Sequence, residues 1–343
     1  MASVDATVRG AGVAGLSAAW ALARRGARVR VVDPRGVGAG ASGGVVGALA
    51  PHAPERWTET KAFQRDALLM AGGWWAGVAG AGGGDPGYAR DGRLQPVPDT
   101  EARARALERA EAARDLWRGE ATWTLEPAPE DGWSPGGAEV IRDTLSARLH
   151  PARACAALAA AVRAAGGEVV AEAEDAGAVI HATGWRGLHT YANDAGRPSG
   201  TGIKGQAAVL GLDRRGLPQL YAGGLHVVPH ADGTVAIGST TERDWDEEAA
   251  TDAALDDVVA RARALVPALA DAPVLHRWAG VRPRARTRAP MLGAWPGRPG
   301  HWIANGGFKI GFAVAPLAAE RLADLILDGR DAIPAGFRPE ASL

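Results

Sequence analysis

Gly10-Ala11-Gly12-Val13-Ala14-Gly15 places three glycines at the spacing G-x-G-x-x-G, and an acid, Asp33, closes the apolar stretch that follows. That combination can bind a dinucleotide. Gly10 permits a tight turn, Gly12 lets a pyrophosphate approach the backbone, and Gly15 lets a helix lie close to a strand. The N-terminus of that helix offers free N–H groups and a positive dipole end to the phosphates. Asp33 can accept hydrogen bonds from ribose hydroxyls, which argues against a ligand with a 2′-phosphate. Metal and disulfide chemistry find little support. The single cysteine, Cys155, excludes an intramolecular disulfide and cysteine-cluster centres. His226 and His230 stand four apart, but the Val-Val-Pro between them is extended, so they do not pair on a helical face.

The elements that must position this motif are legible around it. Ala6 to Arg9 reads as a strand, Leu16 to Arg25 as a helix ended by Gly26, and Ala27 to Val32 as a buried strand. Strand, glycine turn, helix, strand and acid is the order a Rossmann-like α/β fold requires. Arg9 is a departure, because an apolar residue is usual before the first glycine. The 343 residues suggest two lobes. With 38 basic and 39 acidic side chains the net charge is −1, which excludes a generally basic nucleic-acid binder. No apolar run is long enough for a spanning helix. Arg24 and Arg25 follow the N-terminal apolar stretch, the reverse of a signal peptide, so a cytoplasmic setting is expected.

Further segments narrow the dinucleotide. Where an NAD domain would continue into a second amphipathic helix, Gly38 to Pro51 forms a loop of small residues suited to a large flat ligand. Leu149-His150-Pro151-Ala152 precedes an Ala-rich helix and the strand Gly167 to Val170. Ala178 to His181 is a strand ending at the Thr183-Gly184 turn. Asn305-Gly306-Gly307-Phe308-Lys309-Ile310-Gly311-Phe312 leads into Ala315-Pro316 and a helix. This ordered set resembles the D-amino-acid oxidase superfamily of FAD enzymes, and within it the glycine oxidases and the FAD domain of the bacterial tRNA wobble-uridine modifying enzyme. Between Val170 and Ala178 the family's β-meander is trimmed away.

The resemblance implies non-covalent FAD. It places Val13 and Ala14 at the pyrophosphate, Asp33 at the ribose, Ala41 and Ser42 near the phosphates, and Val46, Gly47 and Ala48 beside the isoalloxazine. Val170 meets the adenine through its backbone, Gly184 joins the cofactor set, and Gly307, Phe308, Lys309, Ile310, Gly311 and Phe312 wrap the pyrimidine side. Gly280-Val281-Arg282-Pro283 resembles the segment carrying the arginine that holds the substrate carboxylate, a task suited to a guanidinium fork. Lys309 stands where the pattern has a second arginine, and His226 where it has a substrate-contacting tyrosine.

A second lobe, an antiparallel-sheet α+β domain, is expected from 85–142 and 205–278, with 1–84, 143–204 and 279–343 forming the FAD domain. Its elements include a helix over Thr100 to Trp117, strands Gln206 to Leu212, Leu225 to Pro229 and Thr234 to Ser239, and a helix over Glu247 to Leu269. The expected activity is oxidation of the C–N bond of a small amino or imino acid, with oxygen or a quinone as acceptor. Two other readings stand beside it. One is removal of carboxymethyl from a modified wobble uridine in tRNA, supported only by the arginines of 277–288. The other is a flavoprotein subunit without oxidase activity.

Overall fold

The computed structural model describes residues 4–193 and 195–343. A six-stranded sheet runs in the order Met291–Ala294, His301–Asn305, Ala178–His181, Ala6–Arg9, Val29–Val32, Glu168–Val170. All neighbours are parallel except the Met291–Ala294 edge. Its central strands are near-continuous apolar runs because helices cover them. Val13–Ala23, Pro151–Ala164, Glu59–Gly82 and Gly311–Asp328 pack on one another there. The glycine motif occupies the turn between Ala6–Arg9 and Val13–Ala23, so that the carboxyl end of the central strand feeds the helix N-terminus.

An eight-stranded sheet follows the order Val274–Ala285, Gly200–Leu210, Val235–Gly238, Leu225–Pro229, Gln219–Ala222, Arg93–Pro96, Glu139–Asp143, Trp123–Pro127. It is antiparallel except where Gln219–Ala222 lies parallel to Arg93–Pro96. Ala253–Leu265 covers one face over a core of Leu210, Leu220, Val227, Ile237, Leu255 and Val259. Among the described residues no helix is long and apolar enough to cross a membrane.

Three differences from the sequence reading have physical causes. The helix expected from Glu247 starts only at Ala253. Asp252 caps it, its Oδ1 accepting from the Ala254 N–H at 2.9 Å and from buried Gln206 Nε2 at 2.8 Å. This cap fixes the start of the helix and leaves 247–251 as a crossing segment. Secondly, the arginine-rich stretch around 282 is a strand of twelve residues, Val274–Ala285, paired with Gly200–Leu210 with one register shift between Val209 and Leu210. Hence the boundaries expected at 204/205 and 278/279 both fall inside strands of the eight-stranded sheet. The third difference is Glu59–Gly82, a long helix whose glycines hide its period in the sequence but whose Trp74 and Trp75 are buried.

Candidate functional site

A cleft of about 940 Å³ runs from the glycine turn to the inner end of the eight-stranded sheet. Gly10, Gly12, Val13, Ala14, Asp33, Ala41, Ser42, Val46, Gly47, Ala48, Gly184, Gly307, Phe308, Lys309, Gly311 and Phe312 line it, as do Arg282 and His226. Gly15, Val170 and Ile310 do not. A Cβ on Gly15 would lie 2.0 Å from the Gly10 carbonyl oxygen, so its absence sets the helix against the turn. The Val170 carbonyl accepts the Asp33 N–H at 3.1 Å and thereby locates the acid. Ile310 precedes Gly311–Asp328 as its cap residue.

One end of the cleft is made by backbone. Gly10 sits at φ +115°, and a Cβ there would stand 2.3 Å from the Ala182 carbonyl oxygen. The turn is therefore pressed against the strand that ends in Thr183-Gly184. Asp33 Oδ2 accepts the Ala11 N–H at 2.9 Å and its Oδ1 the Arg35 N–H at 3.0 Å. The Ser42 hydroxyl takes the Val13 N–H at 3.0 Å, closing the small-residue loop over the helix start. His230 Nε2 donates to the Val45 carbonyl at 2.7 Å and pins the far side of that loop. A helix start, an acid at a strand end and three walls of small residues fit the flavin dinucleotide that the sequence implies. Cys155 is buried behind the loop, its Sγ 3.7 Å from the Ser42 carbonyl, and burial pushes its thiol up to about 12.

The other end is made by side chains from distant strands. Arg282 enters over Gly205 on the neighbouring strand, where a Cβ would lie 1.6 Å from its Nη2. That Nη2 donates to Ser239 Oγ at 2.6 Å and to the Thr240 carbonyl at 3.2 Å. Nη1 is buried without a partner. Burial lowers the Arg282 guanidinium to about 10, with Glu242 opposing, so it stays charged at neutral pH. Lys309 is exposed at the rim and donates to Thr241 Oγ1 at 3.2 Å. Its pKa is lowered by partial desolvation of the ammonium and by the charge of Arg282. His226 lies against Tyr221, ring centroids 4.7 Å apart, with a buried Nδ1 that has no partner. Burial, then the charges of Arg93 and Lys309, depress it to about 3, and it is neutral. Behind the wall, Arg93 pairs with buried Asp143 at 2.8 Å.

The structure thus brings Arg282, Lys309 and His226 to one cleft, which Arg277 also lines, and gives the other arginines of the stretch partners of their own. Arg277 pairs with Asp256 at 2.6 Å, Arg284 lies over the Phe308 ring, and Arg286 donates to the carbonyls of Pro198 and Leu343. Sequence reasoning missed Ser239, Thr240, Thr241, Gly205 and Tyr221. The run of three hydroxyl residues after a strand was a usable signal; the placement of the Arg282 side chain over Gly205 of the neighbouring strand was not. Among the described residues no group of three metal-ligating side chains occurs.

Residues 5–325 match the family described as FAD dependent oxidoreductase (DAO). A glycine oxidase of Pseudomonas aeruginosa is 35% identical over 144 residues, which are 41% of this chain and 39% of that protein. The thiamine biosynthesis oxidoreductase ThiO of Rhizobium etli is 30% identical over 93% of this chain and 95% of its own. The crystal structure of glycine oxidase from Geobacillus kaustophilus superposes with a TM-score of 0.82 at 21% identity, covering 97% of each chain.

Proposed function

This chain belongs to the family of FAD-dependent oxidoreductases, and from that premise we propose that it is an enzyme of the glycine-oxidase type that oxidises the C–N bond of a small amino or imino acid held by Arg282. The observation that supports this reading is the buried, partnerless Nη1 of Arg282, in a cleft continuous with the dinucleotide cradle. A buried donor left unpaired is costly, and a carboxylate from the substrate satisfies it with a charge-assisted bond. FAD bound in the cradle supplies the two-electron acceptor for the hydride that leaves the carbon bearing the amine.

The chain's own residues prepare that loss. Arg282, oriented by Ser239 and the Thr240 carbonyl, fixes one end of the substrate and so the face of the carbon presented. The amine must be unprotonated to release hydride. Desolvation in the cleft, beside a neutral histidine, favours the free base, because burial lowers the pKa of a bound ammonium. Removing hydride from carbon and a proton from nitrogen leaves an imine, which water converts to a carbonyl compound and ammonia or an amine. No protein nucleophile is required. Non-covalent FAD is part of the proposal, since Cys155 is shut away as an un-ionised thiol and His52 is hydrogen-bonded to Gln64. A cytoplasmic setting accords with that one reduced thiol.

The test is anaerobic decolourisation of the FAD-loaded enzyme by a panel of small amino and imino acids. Bleaching by members of the panel, abolished by Arg282→Ala while flavin content is kept, is the expected result. Bleaching that survives Arg282→Ala unchanged overturns the carboxylate assignment.

A further inference from the structure

The cations around the inner end of the cleft are unequally compensated. Arg93 faces Asp143, Lys204 lies 3.9 Å from Glu242, and Arg186 lies 3.0 Å from Glu248. Arg282 and Lys309 have no carboxylate within ion-pairing distance among the described residues. Arg282 hydrogen-bonds to the neutral oxygens of Ser239 and Thr240, and Lys309 meets the Thr241 hydroxyl and the Phe308 ring. Both are therefore held on one three-residue segment, Ser239 to Thr241, at the end of the Val235–Gly238 strand. They stand at different depths. Arg282 presents a buried Nη1, while Lys309 is exposed at the rim.

One carboxylate on Arg282 leaves the charge of Lys309 unanswered. A carboxylate at each depth balances both. We propose that the preferred substrate is an amine carrying two carboxylates, an amino- or iminodicarboxylic acid, with one carboxylate on Arg282 and the other on Lys309. The inference rests on the reading of Arg282 as the carboxylate clamp. Lys309 is then a specificity residue. Its ammonium acts as a compact point charge on a flexible stem, suited to a carboxylate at the mouth whose position varies.

The test uses two thioethers that cannot be oxidised as amines: thiodiacetate, with two carboxylates, and methylthioacetate, with one. Their dissociation constants are read from perturbation of the flavin spectrum of the FAD-loaded enzyme. Thiodiacetate should bind about tenfold more tightly, the scale of one added partly desolvated charge pair. Lys309→Met should bring thiodiacetate to the level of methylthioacetate and leave methylthioacetate where it was, and Lys309→Arg should keep the preference. Equal affinities in the unmodified enzyme overturn the proposal and leave the clamp standing. So does a Lys309→Met that weakens both ligands alike, which would mean that the two cations share one carboxylate. If Arg282→Ala leaves both ligands unaffected, or if neither ligand perturbs the flavin, the clamp reading fails and the dicarboxylate inference with it.

Discussion

The two ends of the cleft are built on different principles. The cradle around Gly10, Asp33 and Ser42 is backbone and small side chains, and these three positions lie close in sequence. The wall around Arg282 is made of side chains from Val274–Ala285, Leu225–Pro229, the segment after Val235–Gly238 and the loop before Gly311–Asp328. A backbone cradle accepts a constant ligand part and demands small residues, because any Cβ fills it. A side-chain wall sets which substrate enters, and its residues can change without altering the frame. The two regions should therefore fail differently when perturbed.

The largest effect is expected at the cradle. Gly10→Ala puts a Cβ against the Ala182 backbone at a positive φ, where neither partner can yield cheaply. A loss of about 3 kcal/mol or more in stability is expected, with flavin content collapsing in parallel. Normal flavin content and an unchanged melting temperature would show that the turn is not rigid. Next comes Arg282→Ala, expected to cost on the order of 3 kcal/mol in kcat/KM with flavin content almost unchanged. Loss of flavin from this variant would erase the division between cradle and wall.

Gly205→Ala sharpens the comparison further. Its Cβ meets only the end of the Arg282 side chain, which can swing aside. KM should rise roughly tenfold, as for a clamp displaced by part of an ångström, while thermal stability barely moves. A large drop in melting temperature would make Gly205 a packing residue instead.

The smallest effect is the pH response. His230 belongs to the cradle and His226 to the wall, and both are depressed, chiefly by burial, to about 4 and about 3. Their unfolded values lie near ~6.5. Below that, the unfolded chain takes up protons that the folded one refuses, so stability falls as pH drops from ~6.5 towards the folded values. A fall in melting temperature of about 2–4 °C between pH 7 and 5.5 is expected. His230→Asn and His226→Asn should each flatten part of that slope, and a slope untouched by both would assign it to other groups. Because His226 stays neutral, kcat/KM should show no break from it between pH 5 and 8.

The contrast between local and distant contacts also explains which elements are legible in the order of residues. The strand Ala6–Arg9 is legible to the residue, and the helix after it to within its first turn, because the glycine spacing and the apolar run are local signals. Leu225–Pro229 is legible for the same reason, with Asp232 and Gly233 marking its turn. Glu247–Asp252 misleads because helix-favouring composition is a weak preference, and Asp252 spends its carboxylate on the cap and on Gln206.

The sequence by itself determined the dinucleotide frame, the family and the candidacy of Arg282, Lys309 and His226, since each depends on residue type at a fixed spacing or on motif position. Tertiary structure alone decided which arginine of the 277–288 stretch enters the cleft over Gly205 with a partnerless nitrogen. Alternation along a strand sends neighbours to opposite faces, and only the pairing with Gly200–Leu210 reveals the gap at Gly205 that admits one guanidinium. It also decided that Arg282 and Lys309 share an anchor in Ser239 to Thr241 and lack a carboxylate partner, because charge compensation depends on distances in space that the order of residues does not encode.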